Sequence, residues 1–153
     1  MSDLLKTKIS IYEACQAHMK EAIESAKKRM DDAQNAANNE TKSSVGDKYE
    51  TGRAMAQRER DKAAGMLAES AKLQQVLDEI DPEISSSEVK LGSLVITNKG
   101  SFLISIAIGK IEVNGSLYFA VSPVSPIGKL LKGEKAGEEI KLNGNVFEIK
   151  ALA

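Results

Sequence analysis

Leu5, Ile9, Tyr12, Gln16, Met19, Ile23, Ala26, Met30, Ala33 and Ala37 follow one another in strictly alternating steps of four and three residues. That spacing keeps them on one stripe of a helix, and because only Gln16 is polar the stripe needs a partner helix to cover it. A second ladder, Val45, Tyr49, Gly52, Ala56, Glu59, Ala63, Met66, Ser70, Leu73, Leu77 and Ile80, repeats the alternation with weak rungs at Gly52, Glu59 and Ser70. Between the two lies the turn-forming cluster Asn38-Asn39-Glu40-Thr41-Lys42-Ser43-Ser44. The short connection predicts antiparallel neighbours, a coiled-coil hairpin over residues 1–81 with its tip at about 38–50. Two helices of about 35 residues at 1.5 Å per residue give a finger on the order of 50 Å long. Near the tip the stripe is made of Ala33, Ala37, Gly52 and Ala56, small enough for the helices to approach closely.

The pattern changes near residue 82. Pro82, Pro123 and Pro126 are the only prolines, and of the 11 glycines only Gly46, Gly52 and Gly65 precede them. Asp81-Pro82-Glu83-Ile84-Ser85-Ser86-Ser87 reads as a polar linker with a helix-stopping proline. Beyond it, β-branched runs at 93–98 and 102–108 flank a turn at Asn98-Lys99-Gly100. Asn114-Gly115 joins runs 110–113 and 116–121, and Asn143-Gly144 joins 139–142 and 145–149; Asn-Gly is a strong two-residue hairpin signal. Between these pairs, Ser125 as N-cap, Pro126 at the first helical position and Gly133 at the end predict a two-turn helix. Residues 82–153 therefore read as a small domain of about six strands and one helix, and the whole chain as α+β.

Composition narrows the function classes. The 21 basic and 22 acidic residues of the 153 are spread evenly over both halves, which gives no basic footprint for nucleic acid. One Cys excludes an internal disulfide and fits a reducing cytoplasm, and one His excludes a metal site built on several histidines. No run approaches the apolar length of a membrane span.

Two local groupings could carry chemistry. Cys15 and His18 are three apart on the first helix, a conceivable thiol–imidazole pair for acyl transfer, set against a simple packing role. Asp47 and Glu50 stand three apart at the start of the second helix, where they could help hold a hard cation such as Mg²⁺. The same acids also suit a helix N-terminus, where they complete capping boxes and favour the macrodipole.

The ordered segment Ser122-Pro123-Val124-Ser125-Pro126-Ile127-Gly128-Lys129-Leu130-Leu131-Lys132-Gly133-Glu134-Lys135-Ala136-Gly137-Glu138-Glu139-Ile140, followed by Asn145-Val146-Phe147-Glu148-Ile149, resembles the C-terminal domain of the Gre transcript-cleavage factors of bacterial RNA polymerase. The helical half is similar to that family mainly in pattern. The resemblance implies an FKBP-like C-terminal domain that docks at the rim of the polymerase secondary channel through Ser125, Pro126, Ile127, Gly128 and Lys129. It implies a finger that enters the channel and contacts polymerase with Ser43, Ser44, Gly46 and Arg53. In the cleavage-stimulating members, acids at the tip help hold a second Mg²⁺, so that the polymerase itself hydrolyses backtracked RNA. With Tyr49 as anchor, the two family acids fall here on Lys42 and Val45, which leaves Asp47 and Glu50 one to two turns further along.

The expectation is thus a cytoplasmic elongation regulator, not itself an enzyme and a monomer when free. Its partner would be RNA polymerase, with indirect contact to nascent RNA, contact with DNA left open, and no membrane. It would hold no stable metal of its own, any Mg²⁺ being shared with the polymerase. The alternatives are a channel-occupying modulator or inhibitor without cleavage, a small FKBP-like prolyl isomerase or Cys15-dependent acyl-transfer enzyme, and a coiled-coil module that dimerises through its finger.

Overall fold

The computed structural model describes residues 2–40 and 46–153, with only the backbone described at residues 40 and 46–50. It has an N-terminal helical hairpin, α1 (Asp3–Glu40) and α2 (Gly46–Asp78), followed by six strands and one short helix. These are β1 (Leu94–Thr97), β2 (Gly100–Ile104), β3 (Gly109–Val113), β4 (Ser116–Val121), α3 (Pro126–Leu131), β5 (Glu139–Leu142) and β6 (Asn145–Leu152). The chain is α+β and forms two compact units, Met1–Ala17 with Gln75–Ala153, and His18–Gln74.

In the first unit, α1 starts under a serine cap: the Leu5 N–H donates to Ser2 Oγ at 3.1 Å, and Asp3 in the first turn favours the helix dipole. The six strands form one sheet in the order β3-β4-β2-β1-β6-β5, with β2 and β4 parallel and the other pairs antiparallel. Both Asn-Gly turns form as the sequence predicts. Asn114 and Asn143 stand at φ 51° and 52°, and Gly115 and Gly144 at 79° and 81°, the left-handed pair that a two-residue hairpin turn requires.

Both faces of the sheet are apolar. Val95, Ile104 and Ile149 lie on one face with Val89, Ile140 and the α3 residues Ile127 and Leu131, and Phe102, Val121, Leu142, Phe147 and Leu152 pack around them. Register places Leu94, Leu103 and Ala120 together on the opposite face, where all three are buried. Residues from the root of the hairpin reach this end of the sheet. Ile80 lies so close to Gly92 that a Cβ there would come within 3.0 Å of its side chain, and the Cys15 thiol bonds to Ser105.

Three boundaries differ from the sequence pattern. The apolar run 102–108 leaves the sheet after Ile104, because Ser105 N–H makes the last bond to β4, at Val121 O, and the chain then turns towards β3. Ile106 is 1% exposed, so its apolar character fills core rather than strand. β6 continues past Ile149 to Leu152, since a register shift at Ile96/Thr97 lets β1 pair with both Ile149 and Leu152. The helix α1 includes Asn38 and Asn39, assigned above to the turn; the Gln34 amide donates to Asn38 Oδ1 at 3.2 Å along that last turn.

In the second unit, Met19, Ala26, Ala33 and Ala37 of α1 and Ala56 and Ala63 of α2 are buried, so beyond Met19 the fully buried rungs of the ladder are alanines. Glu59 and Met66, both rungs of the second ladder, are instead exposed, and Leu67 is half-buried beside them.

Gly128 has no room for a side chain. A Cβ there would collide with the Ser122 carbonyl oxygen and lie 2.8 Å from Ser125 Oγ. Gly128→Ala is expected to cost about 2 kcal/mol and Ser125→Ala, which removes the α3 cap, about 1 kcal/mol. Urea unfolding of each variant should show a lower midpoint with an unchanged m-value.

Candidate functional site

The segment Ser122–Gly133 divides into a framework and a displayed edge. Ser125 Oγ donates to Ser122 O at 2.6 Å and accepts from Gly128 N–H at 3.1 Å, so one hydroxyl closes the turn before α3 and caps the helix. Ser122 Oγ in turn accepts from Val124 N–H at 3.1 Å. Past the helix, Gly133 N–H donates to Val89 O and Val89 N–H donates to Glu134 O, both at 2.8 Å, which ties the segment's far end to the chain entering the sheet. A helix this short has one inward face. Ile127, Gly128 and Leu131 occupy it and are buried.

The positions left outside are Pro126, Lys129 and Leu130, which helical spacing puts on one side, together with Val124 in the preceding turn. Val124 is 73% exposed and Leu130 39%. Of the five residues singled out for docking, Ile127 and Gly128 are therefore in the core and Ser125 is the cap, while Pro126 and Lys129 are at the surface. Val124 and Leu130 were not singled out. The clue was the Ile127/Leu131 spacing of four, which turns Leu130 outward.

At the hairpin tip, Ser43 and Ser44 lie outside the described residues, as do Lys42 and Val45. Gly46, Asp47 and Glu50 are in the first turns of α2, with backbone alone described; Arg53, one turn on, is exposed. Further along the same unit an open groove of about 550 Å³ is floored by Ala33, Ala36, Gly52 and Ala56 and edged by Arg29 and Glu59. Among the described residues, no three His, Cys, Asp or Glu side chains come together as a metal site. None of their helices is long and apolar enough to cross a membrane.

Cys15 and His18 do not form a pair. Cys15 is completely buried, whereas His18 is exposed. Burial pushes the Cys15 thiol up to about 11, only partly offset by its hydrogen bond with Ser105. A thiol so hard to ionise is a poor nucleophile at neutral pH. A prolyl isomerase pocket would need an aromatic-lined cavity, but the three phenylalanines of the sheet domain pack on one another. Phe102 stacks on Phe119 with centroids 5.8 Å apart and meets Phe147 edge-on at 6.2 Å. Neither the hairpin groove nor a smaller cleft beside Lys8 is lined by an aromatic ring.

No protein-family model matches the chain, and no curated protein matches it. Among solved structures, the crystal structure of GreA factor homolog 1 (Gfh1) of Thermus thermophilus aligns over 93% of this chain and 94% of that one. The aligned residues are 18% identical and the TM-score is 0.36, too low to equate the two folds.

The state of Cys15 gives a pH signature. Its folded value lies above the ordinary value of about 9, so the native thiol stays protonated where the unfolded one ionises. Stability from this group is complete below pH 9 and is lost as pH rises towards about 11. The stability difference between wild type and Cys15→Ala should narrow over that interval in urea titrations. At pH 8, labelling of Cys15 by a thiol reagent should proceed only at the rate of unfolding.

Proposed function

We propose that this chain is a transcription elongation regulator of the Gre kind, which docks on bacterial RNA polymerase with the Val124–Leu130 edge of its sheet domain and presents the helical hairpin to the secondary channel. The observation that carries this reading is the segment Ser122–Ile140. It resembles the Gre segment over most of its length, departing at Leu130, Lys132 and Glu134, and its cap, buried helix face and tied ends fix an exposed apolar edge of Val124, Pro126 and Leu130 with Lys129 beside it. Exposed apolar side chains on a rigid base are what a protein partner can desolvate at little entropic cost.

In this reading the chain is an accessory and the polymerase performs the chemistry. The tip favours occupancy of the channel over stimulation of cleavage. Lys42 and Val45 stand where the family carries its acids, and neither an ammonium nor an isopropyl group can ligate a cation. Asp47 and Glu50 are the carboxylates that remain nearby, and a Mg²⁺ held jointly with the polymerase would polarise a water for phosphodiester hydrolysis.

Two measurements test the proposal. Val124→Asp with Leu130→Asp changes only exposed side chains, so the fold should persist by circular dichroism while affinity for core RNA polymerase drops at least about tenfold. Undiminished binding would refute the docking edge. On halted, backtracked complexes the wild-type factor should slow nucleotide addition without releasing short 3′ RNA fragments. Fragments that disappear with Asp47→Ala would instead assign cleavage stimulation to the tip acids.

A further inference from the structure

Lys8 is the one charged side chain among the described residues that is almost wholly buried, at 2% exposure. Its ammonium has three N–H donors, and the recorded acceptor is a single backbone carbonyl, Ile84 O, at 2.7 Å. No carboxylate of the described residues forms an ion pair with it. A buried cation this incompletely compensated is costly, and its remaining donors need an acceptor.

The side chain borders a cleft of about 160 Å³, within the compact unit formed by the hairpin root and the sheet domain. Lys90, Ser93, Gly92, Leu91 and Ile80 form much of its wall. Ser93 is 1% exposed, and its Oγ accepts from Lys90 N–H at 3.0 Å, with its own proton committed to no recorded acceptor. The acids at the cleft, Glu79 and Asp81, are both exposed, and Asp81 Oδ1 is occupied by Glu83 N–H at 3.0 Å. Burial holds the Lys8 ammonium below its usual range, Lys90 lowers it further, and Asp81 opposes this only in part. Two cations that repel each other beside a small cleft are the setting in which a bound anion offsets both repulsion and desolvation.

We propose that this cleft binds a phosphate group between the Lys8 and Lys90 ammonium groups, with the Ser93 hydroxyl as a third donor. At about 30 Å³ per water the space equals roughly five waters, enough for one phosphoryl group and too little for a nucleoside. A nucleotide would therefore bind by its phosphate with the base outside. The site is independent of polymerase docking, since none of its residues belongs to the Val124–Leu130 edge.

Isothermal titration of the full chain with inorganic phosphate, and separately with adenosine 5′-monophosphate, tests the proposal against chloride at equal ionic strength. Saturable binding is expected, weakened at least about tenfold by Lys90→Gln, abolished by Lys8→Met and unchanged by the remote Lys110→Gln. Lys90 is exposed, so its variant should fold even if Lys8→Met does not. Tighter phosphate binding assigns the site to the free anion, and tighter nucleotide binding to a phosphate ester; both support it. No saturable binding of either ligand, or binding indifferent to Lys90→Gln, would overturn it.

Discussion

A sheet that is apolar on both faces must be covered on both, and most features of the first unit answer that requirement. One face is closed by α3 through Ile127 and Leu131. Towards the other, Ile80 from beyond the end of α2 meets Gly92 and the Cys15 thiol of α1 bonds to Ser105, and Ile11 and Leu77 of the same unit are buried as well. Tyr12 Oη donates to Leu77 O at 2.7 Å, and Lys8 reaches Ile84 O, so the root is stitched by side chain–backbone bonds as well as by packing. The hairpin root thus belongs to the core of the sheet domain and is more than the start of a two-helix stalk.

The segment after β4 shows how few of its residues the fold itself requires. Ser125 and Gly128 satisfy the backbone, and Ile127 and Leu131 fill the core. With those needs met, Val124, Pro126, Lys129 and Leu130 carry no evident structural duty and remain at the surface. Conversely, Cys15 and the phenylalanines, the residues most suggestive of an enzyme, are engaged in packing.

Much of this architecture was legible in the sequence. The four-three ladder gave both helices, the Asn-Gly pairs gave two hairpins with the required positive φ, and Ser125-Pro126 gave the start of α3. What escaped was set by contacts distant in sequence. Leu4, Lys8, Ile11 and Cys15 make a second four-three stripe beside the first, yet Lys8 interrupts it, and a lysine in a helix reads as solvent-facing. The early end of β2 depends on its parallel partner β4, and the extension of β6 on a bulge, neither of which leaves a local signal. At the site, the Ile127/Leu131 spacing points to the inward side of α3, and the sheet it packs on fixes which of the remaining residues stay outside. The tip acids are visible as sequence alone.

Hydrogen exchange of the full chain, free and bound to core RNA polymerase, bears most directly on the docking account. It predicts new protection of backbone amides across residues 122–133 and along the hairpin on binding, with little change at the β5–β6 turn around Asn143. Unchanged exchange at 122–133 in a saturated complex, or protection confined to the opposite edge of the sheet, would contradict it.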